Sequence, residues 1–282
     1  MKKVMVYKVL TMLLGGLAMN VAAASGSFSA TLSNLHYTLT DLDPNDGITP
    51  SLVVGDVGYA KLYYKTSTYA NDEEGVKSKF YKATGPALPS STTQSGSQYS
   101  MAASASGASM LNNGVISASL QMIGHNKSFG DYDANADLGL LQFTLSAHTA
   151  ITFYADASVF ASYSGLLPGV AHSGGLATAR LNGSFGGDGT PMSWWDDEAR
   201  VEAYLVAGTA DAGMPVTNAE NRTLEFTYSN TLDRGIPGYV SGSVGDYAGL
   251  SLSPVPEPES YALLLAGLGL IGAIARRRKH HA

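Results

Sequence analysis

Apolar and polar side chains alternate one by one along much of this sequence, and a period of two confines those stretches to β-strands. Leu141-Gln142-Phe143-Thr144-Leu145 alternates without a break, and so does Ile151-Thr152-Phe153-Tyr154-Ala155. Phe28, Ala30 and Leu32 are separated by Ser and Thr. Leu35, Tyr37 and Leu39 resume the pattern one position out of phase, and a bulge or short turn fits the slip at Ser33-Asn34. Val201-Glu202-Ala203-Tyr204-Leu205 and Leu224-Glu225-Phe226-Thr227-Tyr228 set apolar groups on one face and carboxylates on the other. One greasy face per strand is what two packed antiparallel sheets require. The expected class is all-β, an antiparallel β-sandwich, with a jelly roll as one form of it.

Turn signals punctuate the strands at Asn45-Asp46-Gly47, Asn112-Asn113-Gly114 and Gly186-Gly187-Asp188-Gly189. The short link Ser146–Ala150 predicts that its two flanking strands form an antiparallel hairpin. Ser90–Ser109 begins polar and serine-rich and reads as a mobile loop, with a strand start at Tyr99-Ser100-Met101-Ala102. Gly235 to Pro254, bearing Pro and Gly, reads as the end of the fold and a tether.

The two chain ends are of another kind. Met1–Ala24 has Lys2, Lys3 and Lys8, then a largely apolar Val9–Val21, then Ala22-Ala23-Ala24. That is the order of a secretory signal peptide, with cleavage after Ala24 and Ser25 as the new N-terminus. The chain has no cysteine, so the exported part, residues 25–254, depends on core size rather than disulfides. Seven of the 17 Lys/Arg lie in the ends; without them and without Glu257 and Glu259, 10 basic residues face 21 acidic ones, about −11. An acidic domain of this kind is not built to hold nucleic acid or an anionic membrane surface, and it tolerates divalent cations and neutral glycans.

At the other end Val255-Pro256-Glu257-Pro258 is followed by the uncharged run Tyr261–Ala275 and then by Arg276-Arg277-Arg278-Lys279. The prolines fix their own φ and hold the Glu257 peptide extended. Gly267, Gly269 and Gly272 are costly in a soluble helix and common in membrane ones. Elbow, apolar segment and basic block, in that order, resemble the PEP-CTERM sorting signal of exported proteins in exopolysaccharide-making Gram-negative bacteria. The resemblance covers about residues 255–279. It implies a transmembrane helix at Tyr261–Ala275 and a partner, exosortase, an integral-membrane cysteine transpeptidase that would process the tail. It also implies an intermediate anchored in the inner membrane, followed by display at the cell surface or in a biofilm matrix. Because the tag rides on unrelated cargo, it transfers a destination and no activity.

In the exported part no Gly-x-Ser-x-Gly elbow, His-Glu-x-x-His or P-loop occurs, which points away from an enzyme. His36, His125, His148 and His172 are scattered, with no metal-ligand spacing among them. Asp131, Asp133, Asn135 and Asp137 place oxygens two apart, a candidate calcium loop, as do Asp41, Asp43, Asn45 and Asp46. Neither fits the EF-hand: the first cluster has Ala136 where the glycine belongs, and the second has Gly47 one place late. Asx-turn bonding to the local backbone is the competing reading of both. Trp194-Trp195-Asp196-Asp197-Glu198 suggests glycan contact, an indole stacking on a sugar with carboxylates accepting from hydroxyls. On a strand only one of the two tryptophans can be exposed while the other enters the core. The functions in contention are a non-enzymatic exported surface protein, a carbohydrate-binding module for exopolysaccharide and, third, a glycan-active hydrolase.

Overall fold

The computed structural model describes residues 25–57, 61–70, 73–82, 90–96, 99–107, 111–123, 129–165, 170–187, 190–206 and 214–252. The leader 1–24 and the sorting tail 255–279 lie outside the described residues. Every regular element among the described residues is a strand. In chain order these are β1 (Ser25–Asp41), β2 (Leu52–Val57), β3 (Lys61–Ala70), β4 (Glu73–Lys82), β5 (Ser90–Ser95), β6 (Tyr99–Ser106) and β7 (Val115–Ile123). There follow β8 (Phe129–Asp137), β9 (Leu141–Leu145), β10 (Thr149–Ser164), β11 (Val170–Gly187), β12 (Thr190–Val206), β13 (Val216–Asn230) and β14 (Ile236–Leu252).

They form two antiparallel sheets. The first runs β13-β10-β1-β7-β6-β5; the second runs β12-β11-β14-β8-β3-β4, with β9 also beside β14 and β2 beside β9. The sheets pack face to face, because each strand's apolar side must leave water and the other sheet is the surface available. Phe28, Ala30 and Leu32 of β1, Ile151, Phe153 and Ala155 of β10, and Ala177, Ala179 and Leu181 of β11 are all buried in one core. Aromatic rings join the layers: Phe143 lies 5.4 Å from Phe153 and 5.2 Å from Phe185. The phase slip in β1 is real. Its pairing with β10 shifts between Ser33 and His36, and Asn34 takes φ +55° to make the bulge.

Four expectations are corrected. Leu141–Leu145 and Ile151–Ala155 are not a hairpin. β9 pairs with β14 and β2 in the second sheet, whereas β10 pairs with β1 and β13 in the first. The turn at Ala147-His148 carries the chain across the core, so the two apolar faces meet through Phe143 and Phe153 instead of lying side by side. Ser90–Ser109 is largely strand rather than loop: β5 and β6 pair, and Met101, Ala103 and Ala105 point inward. Gly235 to Pro254 is no tether over most of its length, since Ile236–Leu252 is strand β14, in the interior of the second sheet. Its glycines belong there: a Cβ on Gly238 would come within 2.8 Å of Phe185 and 2.9 Å of Phe143. The order is also not that of a jelly roll, because β5-β6-β7 is a meander within one sheet.

Candidate functional site

Facing residues of antiparallel strands share one side of the sheet, so register alone assembles the outer face of the second sheet. Ser184 of β11 stands between Trp194 of β12 and Tyr239 of β14; Asn182 stands between Asp196 and Ser241 in the next row. Trp194 is 67% exposed. Its ring meets Tyr239 edge to face, centroids 5.7 Å apart at 73°. Trp195 points the other way and packs against Phe185 at 5.3 Å and Tyr228 at 5.2 Å. The split expected of adjacent residues on a strand is therefore what the fold displays.

Two hollows share Tyr239 as a wall. One, of about 380 Å³, is lined by Gln142, Thr144, Ser184 and Met192 among others. The second, of about 440 Å³, has Arg180, Asn182, Trp194, Asp196 and Ser241 in its lining. Arg180 is held by Glu198 at 2.8 Å, and Ser241 Oγ donates to Asn182 Oδ1. Ser184 is 1% exposed, and its Oγ has no hydrogen-bond partner.

A second cluster is built across the chain at one end of the molecule. His148 has φ +46°, an unusual conformation for a non-glycine residue. Its Nδ1 lies 2.5 Å from Asp46 Oδ2 and its Nε2 lies 2.9 Å from Asp233 Oδ1. The hydrogen bond to Asp46 is the main reason the imidazole titrates above its ordinary value of 6.5. The Asp46 carboxyl is held below its ordinary 3.8, first by the Ile48 N–H and then by His148. Asp43, Asp46 and His148 each bring one donor atom within 4.8 Å of the others. The backbone claims these acids too: Asp41, Asp43 and Asp46 accept N–H groups two residues on, from Asp43 at 3.0 Å, Asn45 at 3.1 Å and Ile48 at 2.6 Å. That is the Asx-turn pattern.

This clasp predicts a pH dependence. A histidine whose folded pKa is raised adds stability below pH 6.5, and that stability is lost as the pH climbs through the raised value. The lowered Asp46 adds stability above 3.8, lost as the pH falls through its depressed value. His148→Gln should therefore melt earlier than wild type in mildly acidic buffer, and the two should converge in alkaline buffer. An equal gap in melting temperature at every pH would refute the assignment.

The proposed calcium residues are not on a loop. Asp131, Asp133, Asn135 and Asp137 lie on β8 and share its outer side, with Tyr132, Ala134 and Ala136 buried between them. Alternate residues of a strand stand roughly 6.6 Å apart, so the four form a row rather than converging on one point. Tyr247 Oη donates to Asp131 at 2.8 Å, Asn135 Nδ2 donates to Asp133 at 3.1 Å, and Asp137 accepts the Gly139 N–H at 2.9 Å. The spacing that suggested a metal loop is the strand period itself. His36 stacks on Tyr154 with centroids 5.1 Å apart. His125 and the side chain of His172 lie outside the described residues, as do the cleavage residues Ala22 and Ala24 and the tail from Val255 to Lys279; Ser25 is the first described residue, at the start of β1.

No helix among the described residues is long and apolar enough to cross a membrane. Residues 254–279 match the family model of the PEP-CTERM protein-sorting motif. No curated protein matches the chain.

Proposed function

We propose, from the PEP-CTERM protein-sorting motif that residues 254–279 carry, that this chain is an exported, non-enzymatic protein of the cell surface or extracellular matrix, processed by an exosortase-type membrane transpeptidase. The motif match is the observation that carries the reading. Physical properties of the tail supply the mechanism. The 15 residues Tyr261–Ala275 would span about 22 Å as a helix, against a hydrocarbon core of about 30 Å. Arg276, Arg277, Arg278 and Lys279 close that gap by snorkelling to the cytoplasmic interface, where positive charge is retained. The helix then stalls in the bilayer, and the proline elbow offers Glu257 near its outer face.

The rival reading, a glycan-active hydrolase, would need its acids in the outer groove. Among the described residues lining the two hollows, Asp196 is the one carboxylate. Glycoside hydrolysis uses two, about 5–10 Å apart. Glu198, next along the strand face, is tied to Arg180.

Replacing Arg276, Arg277, Arg278 and Lys279 together with serine should remove the stop, so that the protein slips through the membrane and leaves the cell with its tail intact. Cell fractionation and mass analysis of the C-terminus read this directly. A quadruple variant that is sorted and clipped like wild type would overturn the mechanism.

A further inference from the structure

We propose that the groove astride Trp194 and Tyr239 binds a neutral saccharide chain. The first argument is where the chain leaves its aromatic surface. Phe28, Phe143, Phe153, Phe185 and Phe226 are buried, yet Trp194, with more apolar area than any of them, is 67% exposed. It does not stand alone, since Val53, Met192 and Leu140 in the linings of the same hollows are exposed too, and a contiguous apolar patch of this kind marks a contact surface. Trp194 is also braced edge to face by Tyr239, so its ring is pre-positioned rather than free to turn. A flat, fixed aromatic face is what the C–H side of a pyranose ring stacks on.

The second argument is independent of the first. Ser184 Oγ is buried in the wall of the smaller hollow and lacks a partner. A buried hydroxyl left unpaired costs about 1–3 kcal/mol, and a ligand hydroxyl entering that hollow satisfies it. Gln142 and Thr144 on this side, and Arg180, Asn182, Asp196 and Ser241 on the other, supply both donors and acceptors. Apolar ring faces edged by hydroxyls match that mixture better than a lipid or an apolar peptide does. Each hollow, at about 380 and 440 Å³, falls in the range of small-ligand sites, and the two share Tyr239. A ligand that fills both must therefore be a chain that passes the Trp194–Tyr239 pair.

The third argument weighs against an anionic ligand. With 10 basic against 21 acidic residues in positions 25–254, the domain repels polyanions at long range. Arg180 is already neutralised by Glu198. A neutral saccharide chain escapes that repulsion.

The test uses the full chain in detergent micelles with linear hexamers of β-glucan, galactan and mannan, a polygalacturonate hexamer and monomeric glucose as probes. Intrinsic fluorescence of wild type, compared with that of Trp194→Ala, in which Trp195 is the remaining tryptophan, reports stacking on Trp194. At least one neutral hexamer should bind and shift the emission, while glucose and polygalacturonate bind at least tenfold more weakly. Trp194→Ala should weaken binding at least tenfold without moving the melting temperature. Ser184→Ala should weaken it several-fold while leaving the protein as stable or more so. Binding by none of the neutral hexamers, equal binding by Trp194→Ala, or preference for polygalacturonate would each overturn the proposal. So would a wild-type dimer that Trp194→Ala dissolves without sugar, which would make the indole a protein contact. Because sorting is read from location and binding from purified protein, failure here leaves the tail's role standing.

Discussion

Truncating Phe143 to alanine should cost the folded protein about 3–5 kcal/mol, the usual toll for a large aromatic removed from a core. Phe143 is 2% exposed and sits between Phe153 of the first sheet and Phe185 of its own, so it is a joint between layers. Its neighbour Thr144 is exposed, and Thr144→Ala should cost roughly 0.5 kcal/mol or less. Denaturant midpoints of the two variants measure the contrast, which matters more than either value. Comparable losses would mean that the strand does not present Phe143 and Thr144 to opposite sides.

Asp246→Asn should work in the other direction and stabilise the protein at neutral pH, because it removes a group that must either hold a proton or carry a buried charge. Asp246 is 1% exposed, both its carboxyl oxygens lack hydrogen-bond partners, and the register sets it between Ala177 and Ala134. Loss of water is the main reason its carboxyl titrates well above the usual range, and the nearby charge of Asp133 adds to it. The folded state thus keeps a proton that the unfolded chain releases above about pH 3.9. Such a group subtracts stability as the pH rises from there through the raised folded value. Asparagine has nearly the same shape and no proton to lose. Unfolding curves of wild type and variant should converge near about pH 4 and separate toward neutrality; parallel profiles would show that Asp246 does not titrate as a buried acid.

The strand class was legible because alternation is a local signal, and so was the β1 bulge, where the phase of the apolar residues slips within a few positions. The opposite fates of Trp194 and Trp195 follow from the same parity. Which strand bonds to which is a long-range matter. Leu141–Leu145 and Ile151–Ala155 carry identical alternation whether they lie side by side or face each other across a core, and the partners that decide it, β14 and β2 for one and β1 and β13 for the other, are mostly far away in the chain. β14 was hidden for a related reason. Glycines that weaken a strand in isolation are required where Phe143 and Phe185 press against it, and those partners lie far away in sequence. The same distance conceals the sites: Tyr239 reaches Trp194 only once β12, β11 and β14 have paired, and Asp46 and Asp233 reach His148 only once β1, β10 and β13 have. The acid row of β8 was misleading because a strand and a calcium loop both space their donors by two.

β14 is bonded to β11 along one side and to β9 and then β8 along the other, so it is what joins the separate pieces of the second sheet. Those pieces are complete long before it is: β11 with β12, β8 with β3 and β4, and β9 with β2 all precede it in the chain. The second sheet therefore cannot close until the C-terminal strand of the domain has joined it. The same placement governs how the finished molecule bears load. From Leu252 to Glu257 is five peptide steps, a reach of at most about 18 Å. A pull on that segment enters a strand gripped on both flanks. When the pull runs along the strand, rows of hydrogen bonds on both flanks share the load.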